Sequence, residues 1–107
     1  MIDWDRVAEL RDEIGEEDFA EVATLFLDEA DEAVAGLNVQ DDTETRQAAL
    51  HFLKGSALNL GFRDLADLCQ QGEKTPRMTA EALARLVACY NASRKAFIKG
   101  VGSLSAA

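Results

Sequence analysis

The 107-residue chain has a single proline, Pro76, and no stretch in which apolar and polar residues alternate between turn signals. Strands need such alternation, or short apolar runs bounded by turn residues, so a sheet is excluded and an all-α fold is expected. Basic residues are scarce: eleven lysines and arginines stand against twenty aspartates and glutamates, for a net charge of -9. That balance argues against nucleic acid or an anionic membrane as the main partner and leaves a protein or a small molecule. Neither a run of about 18 apolar residues nor a basic leader with an apolar segment appears at the N-terminus, so a soluble cytoplasmic protein is expected. The two cysteines, Cys69 and Cys89, lie too far apart for a redox motif, and with one histidine in the chain they complete no zinc set. They are read as thiols that fill helix interfaces, and no bound metal is expected. No glycine loop of the phosphate-cradling kind is present. At this length the chain is expected to be one domain, 1–107, with one core and no room for a nucleotide-binding domain beside it.

What is there is helical periodicity, and it predicts five helices over residues 3–14, 16–37, 42–60, 62–75 and 79–99. The first starts at Asp3 or Asp5, carries Val7, Leu10 and Ile14, stops at Gly15 and is expected to lie across one end of a bundle. Acidic Glu16, Glu17 and Asp18 suit the positive end of a second helix, whose inward stripe is Phe19, Val22, Phe26, Ala30, Ala33 and Leu37. Asp41 and Glu44 form a capping-box-like start for the third, which ends at Gly61. The fourth turns Leu65, Leu68 and Cys69 inward, makes a hairpin with the third about Gly61, and closes at Thr75-Pro76, since a residue before proline leaves the helical region. Thr79 caps the fifth, which faces Leu83, Leu86, Val87, Tyr90 and Phe97 inward and stops at Gly100. The tail from Ser103 to Ala107 is expected to fray.

The only histidine, His51, falls on the third helix. At about 100° per residue, Leu50, Leu53, Ala57 and Leu60 gather on the far side, while Gln47, Lys54, Gly55 and Leu58 surround the ring. The histidine therefore points outward. Neutral imidazole, with an unperturbed pKa of about 6.5, is a good nucleophile near neutral pH, and a phosphoryl group on its nitrogen keeps high transfer potential. Lys54, one turn on, places a positive charge where phosphoryl oxygens would arrive. Gly55 removes the side chain that would stand beside the ring, at a helical cost of about 1 kcal/mol relative to alanine. Alone, Lys54 would read as a solvated surface residue and Gly55 as a close helix contact; together with His51 they read as a phosphoryl-acceptor site.

These residues, HFLKGSALNLG from His51 to Gly61 followed by Leu65, Leu68 and Cys69, resemble the histidine-containing phosphotransfer (HPt) domains of two-component phosphorelays. The resemblance implies an antiparallel four-helix bundle, up-down-up-down, with a short N-terminal lid helix. It makes His51 the phospho-acceptor, Lys54 the charge partner and Gly55 the access residue, with Ser56 and Gly61 structural. Glu73 falls where the family often has Gln or Glu, a position from which it would hydrogen-bond the imidazole and leave the distal ring nitrogen as nucleophile. Ala57 stands where a second serine is common, Phe62 where a small residue is usual, and Gly72 where a leucine is expected.

The implied function is a phosphorelay intermediate, accepting phosphate from the aspartate of one receiver domain and passing it to another, as a carrier with no ATP-dependent kinase activity. Partners are receiver domains of response regulators or hybrid kinases; the Mg²⁺ belongs to the receiver, this chain binds no cofactor, and a monomer is expected. Gln47, Phe52, Leu58 and Arg63 are expected to form the docking surface, made locally basic by Arg46, Lys54 and Arg63 and apolar at its centre. A degenerate HPt-like module that docks a receiver without being phosphorylated is one alternative. An acyl carrier is another, but it needs a serine in an Asp-Ser-Leu-like context, which Ser56 in KGSAL and Ser93 in NASRK lack.

Overall fold

A computed structural model describes residues 2–102. They form five helices, α1 (Trp4–Ile14), α2 (Glu16–Ala35), α3 (Thr43–Leu60), α4 (Arg63–Lys74) and α5 (Ala80–Val101). Extended pairing among the described residues is limited to one antiparallel bridge between Ile2 and Phe62. Among the described residues no helix is long and apolar enough to cross a membrane. The expected fraying from Ser103 to Ala107 falls outside the described residues.

Helix starts follow local chemistry. Asp3 accepts a hydrogen bond from the Arg6 amide, and Thr79 accepts one from Ala82. Each such cap stabilises a helix by about 1 kcal/mol. The cap of α3 is Asp42, which accepts from the Thr45 amide at 2.7 Å, not the Asp41–Glu44 box; Asp41 instead accepts from the Asn38 amide and closes the preceding turn.

Helix α3 stops at Gly61, whose φ of 77° is a left-handed conformation that favours glycine. The Phe62 amide reaches back to the Ala57 carbonyl at 2.7 Å, as in a Schellman turn. The chain then doubles back, and α4 runs antiparallel against α3. At the open end of this hairpin the Arg46 guanidinium, buried, donates to the carbonyls of Thr75 at 2.8 Å and Pro76 at 2.9 Å. Phe62, at the turn, is fully buried and meets Phe97 edge-on with ring centroids 5.6 Å apart, so the hairpin tip is anchored to α5.

The core runs through every helix, with Val7, Leu10, Phe19, Leu27, Leu50, Leu53, Leu60, Leu65, Leu86 and Phe97 among its buried members. On α2 the deepest positions are Phe19, Ala23, Leu27 and Ala30, whereas Val22, Phe26, Ala33 and Leu37 are half-buried. The helix packs against both α1 and α3, so its apolar surface is broader than one stripe and centred on the smaller residues. It also ends at Ala35, two residues short of the expectation. Helix α5 is joined to α2 by the Tyr90 hydroxyl, which donates to the Leu27 carbonyl and to Asp31, and by Arg94, which grips both Asp31 oxygens at 3.0 and 3.2 Å.

Gly100 does not end α5, which continues to Val101 and is capped at Gly102. Its missing side chain makes room for the Trp4 indole, which any Cβ there would strike. The indole stacks on Phe97, planes 1° apart. This contact fixes α1 against α5.

Candidate functional site

Helix α3 turns Leu50, Leu53, Ala57 and Leu60 into the core and leaves His51 on the outside, its side chain 74% exposed. The facing residue on α4 is Glu73, 18% exposed, and one of its oxygens lies 3.0 Å from His51 Nδ1. The other oxygen lies 2.8 Å from Lys54 Nζ. One carboxylate thus spans two residues a turn apart on the neighbouring helix. The Lys54 hydrogen bond, with the weaker one from His51, holds the Glu73 carboxyl below its ordinary range despite partial burial. An ionised carboxylate only accepts hydrogen bonds, so Nδ1 must be the protonated nitrogen of a neutral ring, and Nε2 then carries the lone pair.

Gly55 is exposed, and a Cβ built on it would meet nothing within 4 Å. Phe52 and Leu58, either side of the histidine, are 49% and 54% exposed, an apolar rim to a polar centre. Gln47 is fastened to α4, since its amide donates to the Glu73 carbonyl at 2.9 Å. Sequence reasoning placed it at the surface but missed this tie, which becomes visible only once the hairpin is folded symmetrically about Gly61. Ser56 is buried and Gly61 forms the turn, while a leucine-sized residue at Gly72 is precluded by Leu50.

The expected basic character of this face is not found. Arg46 is buried under the α4–α5 link, Lys54 is neutralised by Glu73, and Arg63 is paired with Asp3 at 3.0 Å. The Arg63 hydrogen bond in turn holds the Asp3 carboxyl below its usual range. Sequence proximity brought these cations together, but the fold gives each a partner. Apart from the buried Arg46, which bonds only carbonyls, the cations that form no ion pair among the described residues, Lys74, Arg77, Arg85, Lys95 and Lys99, come from the end of α4 onward.

The two cysteines are free thiols, Cys69 buried and Cys89 half-buried. Burial pushes the Cys69 thiol up to about 12, which leaves it protonated and unreactive at neutral pH. Among the described residues no three histidine, cysteine or acidic side chains gather where they could hold a metal ion.

An outward histidine, oriented by a carboxylate from the next helix and flanked by a lysine, is found in a chain whose residues 21–96 match the family model of the Hpt domain. The chain belongs to the Hpt domain family. The matched region takes in most of α2, all of α3 and α4 and most of α5, and so every residue of the site. Hpt domains are helical bundles that carry phosphoryl groups on histidine in two-component phosphorelays, and they interact with receiver domains. No curated protein and no solved structure matches the chain.

Proposed function

We propose that this Hpt domain is a phosphorelay intermediate with His51 as its acceptor, taking a phosphoryl group from one receiver aspartate and yielding it to another. The observation that carries the proposal is the His51–Glu73–Lys54 arrangement on an exposed ring. In the forward step the Nε2 lone pair attacks phosphorus in line; the N–P bond forms as the bond to the aspartyl oxygen breaks, and the aspartate leaves as carboxylate. The ring keeps its Nδ1 proton and becomes a phosphorylated imidazolium, whose new charge Glu73 offsets. In this reading Lys54 shares its ammonium between Glu73 and the incoming phosphoryl oxygens, where charge spreads in the transition state. Gly55 leaves the approach open, and Gln47, Phe52, Leu58 and Arg63 border the docking face. Transfer to the second receiver is the reverse step.

In this reading α2 to α5 form the four-helix, up-down-up-down bundle and α1 is its lid. The domain works in the cytoplasm as a monomer, a carrier without kinase activity and without a cofactor of its own, and the Mg²⁺ resides in the receiver. The test is to incubate the pure protein with radiolabelled phospho-receivers and follow the label. Movement of label from at least one receiver to this chain is expected. Stable binding to a receiver with no label on the chain would instead identify a docking module that does not accept phosphate.

A further inference from the structure

Two glycines lie inside helices next to the site, and they have opposite surroundings. Gly55 opens on solvent, but a Cβ on Gly72 would lie 2.7 Å from Leu50 Cδ1 and 3.3 Å from Met78 Cε. Either α4 or Leu50 would have to yield by about 0.7 Å before that contact became ordinary. Leu50 is fully buried, in an interior where close packing leaves little room to move. A cavity of about 100 Å³ adjoins Gly72 and is lined in part by Leu68, Met78 and Leu86, but Leu50 does not line it. The place matters because Leu50 precedes His51 and Gly72 precedes Glu73. Pushing the helices apart here lengthens the 3.0 Å bond between Glu73 and His51, which is lost beyond about 3.5 Å. On the same residue the Gln47 amide pulls inward by holding the Glu73 carbonyl at 2.9 Å.

We propose that Gly72 and Gln47 form a clamp that seats Glu73 against His51, making both positioning residues for phosphoryl acceptance. This rests on His51 being the acceptor, as proposed above. Gly72 allows the close approach of α4 to α3, and Gln47 fixes the height of Glu73 along it. The clamp acts through the ring: with it closed, the proton stays on Nδ1 and Nε2 is the nucleophile; with it open, the ring samples both tautomers.

The experiment reads the ring directly, since one histidine gives one pair of imidazole ¹⁵N signals. Wild type, Glu73→Ala, Gly72→Ala, Gln47→Ala and the double variant Gly72→Ala/Leu50→Val are compared for these shifts and for phosphoryl uptake from phosphoramidate. Wild type should show the proton on Nδ1, and Glu73→Ala a shift toward the tautomer mixture with slower uptake. Gly72→Ala should move both readouts toward Glu73→Ala, and Gln47→Ala should do so in part. Leu50→Val removes the Cδ1 atom, so the double variant should return both toward wild type. Should Gly72→Ala fail to fold, Gln47→Ala, at an exposed position, still decides the clamp, and wild-type shifts and rate in it would overturn the proposal. Wild-type shifts and rate in Gly72→Ala, or a defect that Leu50→Val does not relieve, would overturn the proposal. Unchanged ring shifts in Glu73→Ala would overturn it too. Shifts that follow the clamp in a protein that never takes up phosphate would instead sink the acceptor reading, and the proposed role with it.

Discussion

Glu73 and His51, twenty-two positions apart in the chain, are joined by a 3.0 Å hydrogen bond across the α3–α4 hairpin. Because the same carboxylate holds Lys54 at 2.8 Å, the three side chains act as one unit. In the proposed reading the lysine favours the ionised glutamate, the ionised glutamate fixes the ring proton, and the fixed proton decides which nitrogen would attack.

Lys54→Ala should slow transfer more than it weakens receiver binding, because the ammonium matters most where transition-state charge develops. A loss on the order of 10- to 100-fold in rate is expected, at the low end for a pre-organised donor since the lysine is partly exposed. Transfer kinetics paired with receiver affinity would measure it. Equal losses in the two would reduce Lys54 to a contact residue.

At Gly55, access and stability should pull in opposite directions. With nothing within 4 Å of its would-be Cβ, Gly55→Ala should raise stability by about 0.5 to 1 kcal/mol through helix propensity. Transfer should fall all the same, and Gly55→Gln should lose far more, with a long side chain one turn from His51. Denaturant melts and transfer rates on both variants are needed. If both transfer at the wild-type rate, the docking face lies elsewhere.

Much of this was legible in the sequence because it is local. The five helices, the proline boundary, the Thr79 cap, the Gly61 turn and the inward face of α3 all follow from spacing and turn chemistry within a few residues. Even the Glu73 position could be marked, through the family resemblance. What sequence did not reveal depends on partners brought from afar. Arg46 and Arg63 read as a basic docking face until the fold pairs them with the α4–α5 link and with Asp3. Gly100 read as a helix stop because nothing local says that Trp4, at the other end of the chain, will lie on it. On α2 the helical spacing favours bulkier Val22 and Phe26 over Ala23 and Leu27, since one sequence does not show that two neighbouring helices will share its surface.

Gly61→Ala should be among the most damaging single changes. A left-handed conformation costs a non-glycine residue about 1 to 2 kcal/mol, and the added Cβ would also fall 2.6 Å from the Asp3 carbonyl oxygen. The Asp3 amide bonds to the Gly61 carbonyl, so hydrogen exchange should quicken at the start of α1 as the melt shifts down. A melt like that of wild type would mean that the turn tolerates side chains.

Acid should undo the unit from the glutamate outward. The Glu73 carboxyl titrates lower in the folded protein than in the unfolded chain, chiefly through Lys54. Its contribution to stability is therefore present above the ordinary carboxylate pKa and is lost as pH falls through that range toward the folded value. The stability gap between wild type and Glu73→Gln should be widest near neutral pH and should narrow as pH falls from about 5 toward 3. A gap that stays constant over that interval would show that the carboxylate is not held by its neighbours.

The central claim is that His51 carries the phosphoryl group, and the most direct measurement is phosphoryl uptake by His51→Gln beside wild type. The ring is 74% exposed and outside the core, so the variant should fold and melt like wild type. Wild type should gain one acid-labile, alkali-stable phosphoryl group, and His51→Gln should gain none. Acid-labile, alkali-stable label on a folded His51→Gln protein would contradict the account.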